Sequence, residues 1–334
     1  MKLVPEPANG LMDARADTSA DAPADAPAAS SEGTRRAAVE HARQSYLAAC
    51  ELDVAVRKPG NVSRASAGHD MQAEQFSASA RASVGPLFRF GASVGHRIEA
   101  AVAATARAAG CNTNLGIVLL CAPVARAVEL HPDATNPAAL RAAIETQLAE
   151  LDVTDASAAY RAIAQARPGG LGTAPSEDVN DAPSVTLRAA MALAADRDDI
   201  ARQYRDGYPD FFDLDLVSLA AALAGFDPKS DAVPPAAVTG AVQRLHLHFM
   251  ASRPDSHIVR KHGVALAHSV MSAAQPWHAR AAALDPVDAD PGFAALDLEL
   301  KKSGLNPGTS ADFTVAALFI AGLVAPRRDF WHGS

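Results

Sequence analysis

Arg57–Met71 reads RKPGNVSRASAGHDM. One short segment holds two leading cations, a Pro59-Gly60 turn, Asn61, Ser63, Arg64 and the pair His69-Asp70. Proline and glycine in succession stop a helix and leave backbone N–H groups without intrahelical partners. Lys58 and Arg64 can meet an anion that those amides also reach. A solvated loop is the alternative for Lys58-Pro59-Gly60 taken alone. The His-Asp pair and the matching polar segments further along the chain favour a site. The sequence on either side is alanine-rich, with apolar residues at helical spacing, so the segment reads as a chemical loop between two helices.

The chain has 334 residues, enough to bury a large core. A net charge of −8 argues against nucleic acid or an anionic membrane surface as the main partner. No apolar run approaches a membrane span, and no compact apolar segment near the start reads as a secretory signal. Cys50, Cys111 and Cys121 have no CxxC spacing and cannot all pair, which suits reduced thiols in a cytoplasmic protein. Aromatic residues make up only 5% of the chain while alanine is abundant, a composition for closely packed helices. The expected fold is therefore all-α: a single multi-helix bundle whose polar loops converge on one cleft. Residues 1–33, rich in Ala, Pro, Asp and Ser, read as a disordered tail, and 34–326 as one helical catalytic domain.

In chain order, a first helix is expected from near Thr34, with Ala38, His41, Ala42, Tyr46 and Cys50 on its pattern, stopping at Lys58-Pro59-Gly60. A second runs from Gln72 to Val84 and breaks at Gly85-Pro86. Gly91–Gly95 matches G-x-S-x-G, which in an α/β-hydrolase presents a nucleophilic serine on a strand-to-helix turn. No strands precede Ser93 and no βαβ alternation follows, so a glycine-loosened helix entry is preferred. That helix carries Glu99, Val102 and Thr105 and stops at Gly110. Asn112, Thr113 and Asn114 then precede an apolar helix; they can cap it, contact an anion at its N-terminus, or both.

Thr154 or Asp155 is expected to cap a later helix, and Pro168–Gly172 opens a loop with Glu177, Asp178 and Asp181. Its glycine spacing is not a dinucleotide fingerprint, but its carboxylates can hold a divalent cation or simply be solvated. A helix is expected over Thr186–Tyr204 with four successive charges, Asp196 to Asp199, inside it; at least one must point inward and need a partner. Pro209–Phe212 reads as a break. His246 and His248 lie two apart on a helix and so do not form a metal pair. Polar chemistry concentrates again at Pro254–Gly263, and at Leu305–Asp312, where Ser310 or Thr309 is expected to cap the last apolar helix.

KPGNVSR followed by HDM, the N-T-x-x-G run, PDS-x-I-x-RK-x-G and NPG-x-SAD together resemble the triphosphoribosyl-dephospho-CoA synthase family, in its motif order from about Arg36 to Leu323. The resemblance implies an all-helical enzyme using ATP and 3′-dephospho-CoA, in which the acceptor hydroxyl displaces adenine at the ATP ribose. Better-known members read N-T-H-K-G; here Asn114 and Leu115 stand in the last two variable positions. With PGGLG, EDV and AADRD, this form is similar to a divergent branch of archaea and of bacteria with methanopterin-type one-carbon metabolism. That departure points to an acceptor other than dephospho-CoA. The alternative is a non-catalytic or differently catalytic nucleotide- or coenzyme-binding helical protein linked to the same coenzyme biosynthesis.

On this resemblance the displacement passes through an oxocarbenium-like state and needs a base, phosphate-binding cations and donors to the leaving adenine. Lys58, Arg64, Arg260 and Lys261 are the expected phosphate ligands, with Asn61, Ser63, Asn112, Thr113 and Asn114 beside them. Asp70, Glu99 and His69 are the catalytic candidates, and Asp70, Glu99 and Asp178 the Mg²⁺ ligands, with Asp198 and Asp312 as further carboxylates. The expected partner is a small nucleotide or coenzyme substrate, with no nucleic acid and no membrane; a homodimer is compatible with this reading.

Overall fold

The computed structural model describes residues 26–224, 226–227 and 233–325, with side chains from residue 32. Among them there is no strand; the chain is a succession of helices. In order they are α1 (Ala26–Ala55), α2 (Ala73–Leu87), α3 (Val94–Ala109), α4 (Leu115–Leu130), α5 (Pro137–Glu150), α6 (Val153–Ala166), α7 (Leu187–Ala194), α8 (Asp199–Asp206) and α9 (Pro209–Phe212). Then come α10 (Leu216–Leu223), α11 (Ala236–Ser252), α12 (Ser256–His262), α13 (Val264–Ala282), α14 (Pro291–Lys302) and α15 (Gly308–Val324). The expected tail falls mostly outside the described residues, and α1 is helical already from Ala26. No described helix is long and apolar enough to cross a membrane.

The sequence dictates which helices go to the centre. α4 and α15 are apolar all round, so no face of either tolerates water, and both are buried along almost their whole length. α1 packs on both. Tyr46 on α1, Phe88 after α2 and Phe319 on α15 meet edge-on with ring centroids 5.7–6.1 Å apart, an arrangement that adds to burial alone. A second, smaller core joins α11 to α14 through Leu247, Met250, Ile258, Val270, Phe293 and Leu300.

Several local expectations are corrected, and where a cap changes the reason is that short polar side chains take whichever backbone donors tertiary packing brings them. Helix α2 runs through Pro86 to Leu87 and does not break at Gly85. α6 is capped by Asp152, which accepts from the Asp155 amide at 2.8 Å, and Asp155 returns the bond while also accepting from the Gly95 amide at 2.7 Å. The Thr186–Tyr204 helix is two, because Asp198 leaves the helical path and caps α8 by accepting from the Ala201 amide. Pro209–Phe212 is a single helical turn. Ser93 caps α3 from the surface, accepting from the His96 amide, and is no nucleophile elbow.

One buried charge cluster ties the α2–α3 turn to the core. Arg97 is fully buried; it pairs with Glu129 of α4 and donates to the carbonyls of Leu87 at 2.8 Å and Ala92 at 3.0 Å. Glu129 also accepts from Arg126 at 2.7 Å and from the Gly91 amide at 3.0 Å. Removing one member leaves the other charge buried and unpaired. Glu129→Ala is therefore expected to lower stability by about 3–5 kcal/mol, read as a shift of the urea unfolding midpoint; a change no larger than an exposed pair gives would contradict this account.

Candidate active site

One cavity of about 660 Å³ opens between the helix ends, a size typical of small-molecule sites. It is lined from five separated parts of the sequence: the end of α1 with the Arg57–Met71 loop, the N-terminus of α4, the α6–α7 loop, the α7–α8 junction with α12, and the N-terminus of α15. The loops singled out in the sequence do converge.

The Arg57–Met71 loop divides its work. Lys58 is fully buried; it donates to the backbone carbonyl of Asp53 and stands 3.0 Å from Asp53 Oδ1. It thus caps the last turn of α1, as a cation at a helix C-terminus does, and does not line the cavity. Its partner Asp53 does line it. Ser63 is buried, its amide pairing with the Ser66 carbonyl, and Arg64 reaches out to Glu51 at 2.6 Å. Asp70 is exposed, in a left-handed conformation. Asn61 and His69 remain: both line the cavity, and His69 Nε2 is 2.8 Å from the Gly60 carbonyl.

Asn112, Thr113 and Asn114 all line the cavity as expected. Asn112 also accepts from the Leu115 amide at 3.2 Å, so the capping role and the wall coexist. Leu115, 9% exposed, faces the same space. Glu99 is away from the cavity and bidentate to Arg161, which holds its carboxyl below the ordinary range. Asp178 is a lining residue, but it accepts from the Ala174 amide at 2.7 Å and from Asn180, stapling the α6–α7 loop.

Arg260 and Lys261 stand on the rim with Arg167 and with Arg197 of the AADRD segment. Arg260 donates to the Gly169 carbonyl at 2.9 Å and pairs with Asp198 at 3.3 Å, binding the α6–α7 loop to α12. The glycine of the N-T-N-L-G run has a steric reason. A Cβ on Gly116 would collide with the carboxylate of Asp312, so only glycine lets that acid reach the cavity from α15. Burial, then the neighbouring Asp53 and Asp255, push the Asp312 carboxyl well above the ordinary range, with Arg260 acting against them.

The N-termini of α12 and α15 are held together by one buried acid, Asp255. It accepts from the amides of His257 at 3.0 Å and Ile258 at 3.2 Å, and from both the amide and the hydroxyl of Ser310 at 2.8 Å. The cap expected from Ser310 or Thr309 thus comes from another helix. Asp53, Arg167, Arg197 and His257 are the site residues that sequence reasoning missed. Asp53 stands five positions before Lys58 on the last turn of α1, while Arg197 and His257 lie inside segments already singled out, the Asp196–Asp199 run and Pro254–Gly263, without having been named as site residues.

Among the described residues the architecture is all-helical, with cations at the rim of one cavity and acids within it. The chain belongs to the ATP:dephospho-CoA triphosphoribosyl transferase (CitG) family, whose model matches residues 39–329. That makes it a transferase of coenzyme biosynthesis. A crystal structure from Archaeoglobus fulgidus, provisionally assigned as a triphosphoribosyl-dephospho-CoA synthase, has a similar fold, with a TM-score of 0.53 and 21% identity, covering 76% of this chain and 99% of that one. No match was found among the curated proteins.

Two measurements check this geometry. Lys58→Met strands the buried Asp53 and is expected to cost about 3–5 kcal/mol of stability, read by urea unfolding; an unperturbed midpoint would place Lys58 outside the fold's charge balance. Burial, then Arg260 and Lys261, lower the His257 ring to about 3 from its ordinary 6.5. The folded value lies below the unfolded one, so the stability of the neutral ring is present above 6.5 and lost as pH falls toward 3. An NMR titration of His257 near 6.5 in the folded protein would contradict the buried, cation-flanked ring.

Proposed function

We propose that the cavity binds ATP and a second coenzyme-like substrate and transfers the triphosphoribosyl group between them, with release of adenine. The observation that carries this reading is the meeting of rim cations and interior acids from five loops around one space. Arg260, Lys261, Arg167 and Arg197 suit the triphosphate, Arg as a planar fork and Lys as a point charge. The reaction forms a bond from the acceptor hydroxyl oxygen to the ribose anomeric carbon and breaks the bond from that carbon to adenine. The hydroxyl proton goes to a base, and the departing adenine takes up one proton from solvent, so no proton is gained or lost overall.

His69 is the base this reading favours among the catalytic candidates. A hydrogen on Nε2 donated to the Gly60 carbonyl leaves Nδ1 as the acceptor within the cavity wall. Asn61, Asn112, Thr113 and Asn114 supply hydrogen-bonding groups to sugar and phosphates. Lys58, Ser63 and Arg64 act at one remove, by fixing the loop that presents Asn61 and His69. Mg²⁺ accompanies ATP and, when bound, neutralises phosphate charge. Asp70 and Glu99 do not line the cavity, so the carboxylates left to meet the cation are Asp53, Glu177, Asp178, Asp198 and Asp312.

Leu115 is the observation behind the second reading. An apolar side chain faces the cavity where N-T-H-K-G would put a lysine, so acceptor phosphates lose one cation. The same residue supports an acceptor other than dephospho-CoA, or a binder without turnover.

Incubation with ATP, Mg²⁺ and 3′-dephospho-CoA, followed by chromatography for free adenine, tests these readings. Adenine release with a kcat/KM in the ordinary enzyme range of roughly 10⁴–10⁸ M⁻¹s⁻¹ establishes dephospho-CoA as the acceptor. Slow release points to another acceptor, and ATP binding with no release under any acceptor supports the binder. Arg260→Gln is expected to weaken ATP binding by about 1.5–3 kcal/mol, the scale of a hydrogen bond to a charged group, by calorimetry; unchanged affinity removes Arg260 from the phosphate site.

A further inference from the structure

The interior end of the cavity carries oxygen acceptors with nothing to accept. Asp53 and Asn61 are each 4% exposed and Asn114 is 5% exposed. Asn61 Oδ1 and Asn114 Oδ1 have no hydrogen-bond donor. The nitrogen end of each of the two amides is engaged. Asn61 Nδ2 donates to Asn306 Oδ1 at 3.3 Å, and Asn114 Nδ2 donates to Ser83 Oγ at 3.3 Å. Asp53 Oδ1 has the Lys58 ammonium 3.0 Å away, and that ammonium, with three hydrogens, also donates to the Asp53 backbone carbonyl. The Asp312 carboxylate, lodged against Gly116, has no hydrogen bond or ion pair among the described residues.

These four residues come from α1, the loop after it, the N-cap of α4 and α15, and all four line the cavity. A buried acceptor without a donor costs about 1–3 kcal/mol, and a carboxylate costs more. The two amide oxygens and the Asp312 carboxylate cannot satisfy one another, and Asp53 beside them has Lys58 as its counter-charge. What satisfies them together is a ligand that only donates or only carries positive charge. Two of the four are carboxylates, and Lys58 offsets only one of them.

From this juxtaposition we infer that Asp53, Asp312, Asn61 and Asn114 form an oxygen-only seat for a divalent cation at the interior end of the cavity. Carboxylate and amide oxygens suit Mg²⁺ or Mn²⁺, not Zn²⁺, which favours nitrogen and sulfur. No three His, Cys, Asp or Glu side chains among the described residues make a complete metal cage. The seat is therefore open, as Mg²⁺ sites commonly are when one or two carboxylates leave room for water and phosphate oxygens. The seat also relocates the cation from Asp70, Glu99 and Asp178 to acids on α1 and α15. This inference concerns cation binding by the free protein and does not depend on turnover.

Electron paramagnetic resonance of Mn²⁺ titrated into the full-length protein without nucleotide tests it. The expected result is one bound Mn²⁺ per chain, competed by Mg²⁺. Affinity should be at least about tenfold weaker in Asp312→Asn, the loss of roughly 1.4 kcal/mol, and also weaker in Asn61→Ala. Asp70→Asn, on the exposed side of its loop, should bind as the parent does. Circular dichroism melts establish that each variant is folded. Absence of Mn²⁺ binding by the parent protein, or parental affinity in both folded cavity variants, overturns the seat. If only one cavity variant retains parental affinity, that residue is removed from the seat and the reduced set stands. Adenine release is measured separately, so failure of the seat and failure of the transferase reading are distinguishable.

Discussion

The site depends on a close approach between two turns from opposite ends of the chain. Gly60, at a φ of +77°, sits where a Cβ would be 2.8 Å from the Pro307 ring and 2.9 Å from the Leu305 carbonyl. The Lys-Pro-Gly turn and the Asn-Pro-Gly turn therefore touch backbone to backbone. The Gly60 amide donates to Asp297 at 2.9 Å, and Lys301, one helical turn on, pairs with Asp297 and donates to the Ser66 carbonyl and hydroxyl. α14 thus clamps the whole loop. Once the loop is clamped, its cations have no choice of role: Lys58 turns inward to Asp53 and Arg64 outward to Glu51.

A second clamp sets the opposite wall. Asp255 collects four donors from α12 and α15, and bonds to a charged acceptor are worth about 1.5–3 kcal/mol each before desolvation is counted. Burial still raises its carboxyl above the ordinary range, because four donors offset only part of the lost hydration. The result is mechanical: His257 and Arg260 on one helix and Thr309 and Asp312 on the other face one space. The chemistry in that space is asymmetric. Cations ring the mouth while unpaired oxygens line the interior, so an anion approaching the cavity meets attraction first at the rim.

The all-α fold was legible because it follows from local properties. Alanine-rich helical spacing, few aromatics and the uniformly apolar runs of α4 and α15 leave little alternative to packed helices with those two at the centre. The motif loops were legible as loops because proline and glycine punctuate them, and their convergence follows from each being joined to a buried helix. Asn61, His69, Asn112, Thr113, Asn114, Asp178, Arg260 and Lys261 all reach the cavity wall. Capping residues were less legible: Asp152 and Asp198 sit among other acids, and sequence spacing does not say which oxygen the packed helix presents to its free amides.

What the sequence by itself determined was therefore the helical class, the central pair of helices and the set of polar segments that bear on the site. What only the tertiary structure decided was the direction of each charged side chain. Lys58, Arg64, Asp70 and Glu99 have the residue types that phosphate and metal chemistry needs, yet a cation goes where the nearest buried carboxylate lies. Those carboxylates are fixed by packing between helices distant in sequence. Asp312 shows the converse: it becomes a cavity wall because α4 places a glycine opposite it, a contact between positions 116 and 312 that no local pattern encodes.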